Sequence, residues 1–154
     1  MKNPFLTAFA PDHAEALSRL AKQVEFRAGE TIFRQREVAD GFYLIEKGEI
    51  CLEYELPGKK RVKIQSIGPG ELLGLSWLFE PYRWEFSATA SSDATAKFLR
   101  AVDVRRQCDQ DPILGYKLME AVAGVLTQRL QATRHKLLVF IERASEDDDA
   151  RQVC

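Results

Sequence analysis

Apolar residues first recur at helical spacing and then switch to near alternation. Ala14, Leu17, Leu20, Ala21 and Val24 fall three or four residues apart, which predicts a helix over about 13–23. Asp12 is placed to cap it and Glu15, three residues on, completes a capping-box pattern; His13 then falls in the first turn, facing solvent. Beyond Val24 the period changes. Phe26, Ile32 and Phe33, then Phe42-Tyr43-Leu44-Ile45, then Ile50-Cys51-Leu52-Glu53-Tyr54, are strand-type runs separated by turns at Ala28-Gly29-Glu30 and Glu46-Lys47-Gly48-Glu49. Val62, Ile64 and Ile67 continue the alternation after the Pro57-Gly58 turn, and Thr89 to Leu99 resumes it. Short strands at close intervals predict a mainly β fold, a jelly-roll-like β-roll over about 24–105, rather than an α/β sheet.

The C-terminal third is different. Asp111 caps and Pro112 opens a helix in which Leu114, Leu118, Val122, Leu126 and Leu130 repeat every four residues, and no proline interrupts it to about Arg143. Such a helix would run roughly 45 Å at 1.5 Å per residue. It carries more apolar surface than one small roll covers, so Leu118, Val122, Leu126 and Leu130 are expected to form a homodimer seam. The acidic run Glu146-Asp147-Asp148-Asp149 is expected to open a disordered tail over 146–154, leaving one domain over 1–145.

Hydrophobic residues make up 45% of the 154 and charged residues 29%, which is ordinary for a globular chain. The net charge of −1 offers no general attraction to nucleic acid. No apolar run approaches the roughly 18–20 residues of a membrane span, and the N-terminus is too polar for a signal peptide. Cys51, Cys108 and Cys154 lack metal-ligand spacing and read as free thiols of a cytoplasmic protein. His13 and His135 lie on separate helices and no nucleophile shares a motif with either, so no catalytic or metal site is expected.

Candidate chemistry concentrates between Ile67 and Ser92. Gly68-Pro69-Gly70 is a turn, Glu71 follows, and Leu72 to Phe79 is an apolar run of short-helix length. Trp77, Tyr82, Trp84 and Phe86 then bring four aromatic rings within ten residues, and Ser87-Ala88-Thr89-Ala90 closes on small side chains that let backbone amides approach a ligand. Gly70-Glu71 and Ser87-Ala88-x-Ala90 resemble the two ends of the phosphate-binding cassette of the cyclic nucleotide-binding domain family. The likeness extends upstream through Gly29-Glu30-Thr31-Ile32-Phe33, Ala39-Asp40 and Tyr43-Leu44-Ile45 to Gly48, and covers roughly residues 15–140.

This resemblance implies a non-catalytic regulatory domain in which a small-molecule pocket is coupled to a dimerising helix. Glu71 would take a ribose hydroxyl, Leu72 would line the pocket, and Ser87 with the Ala88 amide would hold the cyclic phosphate of cyclic AMP or cyclic GMP. Two positions depart from the pattern. Phe86 stands where the phosphate-binding arginine belongs, and Arg36 where a glycine belongs, the latter affecting a turn rather than the pocket. Losing a charge-assisted hydrogen bond of about 1.5–3 kcal/mol implies roughly 10- to 150-fold weaker binding. One conceivable rescue is Arg83, swinging into the phosphate site from a loop about four to six residues longer than in the family's shorter cassettes. Alternatively the aromatic rings plug the pocket, stack on a different ligand or anchor a protein partner, and the chain is a degenerate homodimeric interaction module without nucleotide affinity. About a dozen residues follow the long helix, too few for a helix-turn-helix domain, so DNA binding by this chain alone is not expected.

Overall fold

The computed structural model describes residues 3–58 and 60–152, with side chains placed as far as residue 147. Helices α1 (Pro4–Thr7) and α2 (Pro11–Leu20) lead into strands β1 (Lys22–Phe26), β2 (Thr31–Phe33), β3 (Gly41–Lys47), β4 (Ile50–Glu55), β5 (Arg61–Ile67) and β6 (Leu72–Leu73). A 3-10 turn (Ser76–Leu78), β7 (Ser87–Ala90), β8 (Ala94–Arg100), α3 (Ala101–Gln110) and α4 (Pro112–Gln152) complete the order. The chain divides after Leu118 into a unit holding the sheets and a second, helical unit.

The strands form two four-stranded antiparallel sheets, β1-β8-β3-β6 and β2-β7-β4-β5. This is the expected β-roll with flanking helices. The alternation sets the faces: Ile50 and Leu52 of β4 point inward while Cys51 and Glu53 between them are less buried. Phe42, Leu44 and Ile45 of β3 are buried. A register shift between Ile45 and Lys47 puts Glu46 in a bulge, which lets consecutive residues of one strand face the core. Gly48 then turns the chain at φ +87°, where an added Cβ would sit 2.4 Å from the Asp93 carbonyl oxygen, so only glycine fits.

Several local expectations need correction. The first long helix starts with Pro11 at its first position and Ala10 as a cap without a side-chain bond, so Asp12 is not the cap. Glu15 pairs instead with Arg19 at 2.6 Å, one turn along the exposed face. Residues 72–79 are not one helix: β6 pairs Leu72 and Leu73 with Leu44 and Tyr43, and the chain then tightens into the 3-10 turn. His13 does not face solvent. Its side chain is only 12% exposed and its Nε2 lies 3.1 Å from Asp111 Oδ2. Asp111 meanwhile caps α4 as expected, accepting from the Leu114 N–H at 3.2 Å through Oδ1.

The long helix continues to Gln152 rather than ending near 143, so the acidic run through 152 is helical and not a disordered tail. Aspartate and glutamate cost little in a helix interior, and extending an existing helix is far easier than nucleating one. Cys154 lies outside the described residues. The expected dimer seam also divides: Leu118 and Val122 are buried within the protomer, whereas Leu126 is 42% and Leu130 52% exposed. Leu137, Leu138, Phe140 and Ile141 are exposed as well.

Candidate ligand-binding site

The segment from Gly68 to Ala90 is built by turns at both ends. Gly70 adopts φ +84°. Its N–H donates to the Ile45 carbonyl at 2.8 Å, and the Ile45 N–H donates to the Glu71 carbonyl at 3.0 Å, stitching the turn to β3. The Glu71 carboxylate accepts from the Gly68 N–H at 2.9 Å through Oε2. One of its oxygens thus serves its own turn, ahead of β6. The short helix opens later, where Gly74 takes φ +99° and Leu75 is the cap residue. A carboxylate aimed at a ligand over that helix start would have to stand at 75, and this chain has leucine there. The sequence carried the signal as a second glycine four residues after Gly70, followed by an apolar residue and a serine. Leu72 is 2% exposed and belongs to the core of the roll.

The other end of the cassette is equally short of charge. The Ser87 hydroxyl is 7% exposed and accepts from the Gln35 N–H at 2.9 Å, while Gln35 Oε1 accepts from the Glu55 N–H at 2.7 Å. Ser87 thus ties three strands or their ends together. Ala88 is fully buried in β7, with Phe33 of β2 on one side and Leu52 of β4 on the other. A strand flanked on both sides has its N–H groups directed along the sheet. Phe86 is half-buried with its ring edge-on to Tyr54, centroids 6.1 Å apart. Arg83 is exposed, bridges Val38 and donates through Nη1 to the Arg36 carbonyl at 3.0 Å, not to the Ser87 hydroxyl.

The four loop aromatics divide by role. Trp77 is 2% exposed and stacks on Phe42, centroids 5.3 Å apart. Trp84 is 4% exposed and lies parallel to Phe33, with centroids 3.8 Å apart and planes at 10°. Phe33 in turn stacks on Tyr43, whose hydroxyl is pushed up to about 12 by burial, helped by the Asp40 carboxylate. Tyr82 sits at φ +57° with 37% of its surface exposed, and the Arg105 guanidinium of α3 covers its ring at 4.8 Å. Arg105 also donates through Nη2 to the Trp77 carbonyl. The aromatic loop is thereby stapled to α3, a link that no local sequence pattern announces.

Among the described residues no cluster of three or more histidines, cysteines and carboxylates is placed to hold a metal. No described helix is long and apolar enough to cross a membrane. Cys51 and Cys108 are free thiols, and burial is the first cause that pushes both up, ahead of neighbouring carboxylates.

Two four-stranded antiparallel sheets, a glycine-opened short helix and the small-residue strand β7 define a β-roll. The match to the cyclic nucleotide-binding domain family spans residues 23–111, and the chain belongs to that family. A CRP-like cAMP-activated global transcriptional regulator of Mycobacterium tuberculosis is 27% identical over 135 residues, covering 86% of this chain and 58% of the regulator. The chain thus spans little more than half the length of that relative. A cyclic nucleotide-binding domain from Methylobacillus flagellatus superposes with a TM-score of 0.80 at 18% identity, over 88% of this chain and 81% of the other. A putative cyclic nucleotide-binding protein from Geobacter metallireducens superposes with a TM-score of 0.73 at 24% identity, over 84% and 99%. At these identities the two structures establish the fold.

Proposed function

We propose that this chain is a non-catalytic regulatory domain of cyclic nucleotide-binding type that acts as a homodimeric interaction module and does not take a cyclic nucleotide with ordinary affinity. One observation carries this. Each end of the cassette carries an apolar residue, Leu75 at the helix start and Phe86 ahead of β7, and the buried ring of Trp84 lies against Gly74. A cyclic phosphate entering there would lose water and gain no cation, which costs several kcal/mol unless the charge is paired, by roughly the burden known for buried ions.

The dimer rests on α4. Residues 126, 130, 133, 137 and 140 are spaced four and three apart, the repeat of a coiled-coil seam, and Leu126, Leu130, Leu137 and Phe140 are all exposed. Thr133 is the single polar member of the row. A reducing compartment, the cytoplasm, is part of this reading, and the free thiols Cys51 and Cys108 support it.

Calorimetric titration with cyclic AMP and cyclic GMP tests the reading. The natural chain is expected to give no heat at millimolar nucleotide, and Phe86→Arg alone is expected to stay silent because no carboxylate stands at position 75. Micromolar binding by the natural chain would overturn the proposal. A second reading, a nucleotide sensor in which Arg83 replaces the missing cation, is supported by the exposure of Arg83 and its hydrogen bond to the carbonyl of Arg36, the neighbour in sequence of Gln35, which bonds Ser87. Micromolar binding that disappears in Arg83→Ala would select it.

A further inference from the structure

We propose that the Trp84 indole is this chain's internal ligand, occupying a ring-sized recess beside the cassette helix whose shape and polarity suit a flat, uncharged aromatic molecule. The inference rests on the reading above, in which the cassette has no use for a charged ligand, and it names what the site takes instead.

Three observations meet at this ring. The first is the fit to Gly74. A Cβ on that glycine would lie 2.8 and 2.9 Å from Trp84 Cζ3 and Cη2, so the indole occupies the volume that any other residue at the helix start would claim. The second is the stack. Phe33 presents its face to the indole at 3.8 Å and 10°, the arrangement by which a protein holds a planar ring. The third is how the plug is attached. The Trp84 N–H donates to the Glu37 carbonyl at 2.9 Å and its own carbonyl accepts from the Arg36 N–H at 2.8 Å. Both are backbone bonds to the connection between β2 and β3, so the residue that carries the ring is anchored outside the two sheets.

The lining sets the ligand class. Phe33 and Gly74 approach the ring, and Leu75 follows Gly74 at the helix start. None of these carries a charge. An anionic or strongly polar ring would be desolvated without a partner, whereas a neutral one keeps the stack. With Trp84 in place, the loop from Leu75 to Phe86 is held closed without any small molecule, and Arg105 reports that closed position to α3 through the Trp77 carbonyl and the Tyr82 ring.

The probe is indole itself, offered to the natural chain and to Trp84→Gly. The variant should bind indole at least tenfold more tightly than the natural chain. Amide exchange across residues 74–86 should rise severalfold in the variant and return toward the natural rate when indole is added. A folded Trp84→Gly variant that gains no affinity and shows unchanged exchange would overturn the proposal, reducing Trp84 to ordinary core packing. Should that variant not fold, Trp77→Phe leaves Trp84 as the sole indole fluorophore. Its emission should be blue-shifted and resist acrylamide, and adding Gly74→Ala should shift it red and raise quenching severalfold. Ready quenching of Trp84 with Gly74 still present would overturn the proposal. If the natural chain binds cyclic nucleotide, the parent reading fails; if the nucleotide stays silent and the indole tests fail, only the internal-ligand proposal falls.

Discussion

The stretch from Gly29 to Gly48 and the stretch from Gly68 to Ala90 belong to one family frame, yet they differ in what their residues are for. In the first, the family-like positions answer to backbone geometry. Gly29 takes φ +87° and donates to the Ala90 carbonyl at 2.7 Å, and Gly48 sits against the Asp93 carbonyl with no room for a side chain. In the second, the polar side chains bond to nearby backbone: the Glu71 carboxylate accepts from the Gly68 N–H, the Ser87 hydroxyl accepts from the Gln35 N–H, and Leu75 and Phe86 stand at the two ends. Residues that the fold needs are required whether or not a ligand is bound. Residues that only a ligand needs are free of that constraint, and on the reading proposed above they are where the chain departs from the pattern.

The comparison breaks most visibly at Trp84. If the cassette interior has become core, Trp84→Ala should cost about 3–5 kcal/mol, as for other buried aromatic truncations, measured as the shift in denaturant midpoint at constant slope. A cost below about 1 kcal/mol would mean the ring is a surface lid and that the two stretches do not differ as described. Next in size comes Gly48→Ala. Left-handed strain and the collision with Asp93 together should cost about 3 kcal/mol, whereas Gly29→Ala, with the same φ and open space around it, should cost only about 1–2 kcal/mol. Equal costs at the two glycines would show that crowding, and hence the turn's contact with β8, contributes nothing.

Arg105 joins the cassette to α3, so it sharpens the comparison from the other side. Arg105→Ala should cost about 1 kcal/mol for the lost ring contact and the charge-assisted bond, at the low end because the side chain is exposed. Hydrogen exchange should rise across residues 76–84 and stay unchanged in the turns at Gly29 and Gly48. Uniform exchange throughout the roll would show that the staple is not local.

The strand frame was legible because alternation and glycine turns are local signals. The long helix was legible in type and start, through Asp111 and Pro112, but not in length, since acidic residues weaken a helix too little to mark its end. The ligand-facing residues were only half legible. Glu71 reads as a pocket carboxylate because a sequence does not show which of two nearby glycines opens the short helix; in the structure Glu71 accepts from the Gly68 N–H and Gly74 takes positive φ just before that helix. His13 looked like a surface residue for a similar reason. Its partner Asp111 is nearly a hundred positions away, and no helical pattern predicts a contact of that range. The aromatic plug was readable as one option among several, and the ring of Phe33 beneath it was the missing fact.

Arg36 offers the smallest and most selective test. It is one of two described non-glycine residues at positive φ, at +75°, and it stands where the family pattern has glycine. A side chain at that φ strains against its own backbone by about 1–2 kcal/mol. The bonds that hold Arg36 are made by its backbone: its N–H donates to the Trp84 carbonyl and its carbonyl accepts from the Arg83 side chain. Arg36→Gly therefore keeps every such bond and removes the strain. Part of that gain is offset by the greater freedom of glycine in the unfolded chain, about 0.5–1 kcal/mol, leaving a net stabilisation of about 0.5–1 kcal/mol. Thermal denaturation would show it as a rise of roughly 1–4 °C for a chain of this size. A destabilised Arg36→Gly would mean that the arginine side chain holds the Trp84 loop by a contact of its own, and position 36 would then move from the backbone-determined stretch to the ligand-determined one.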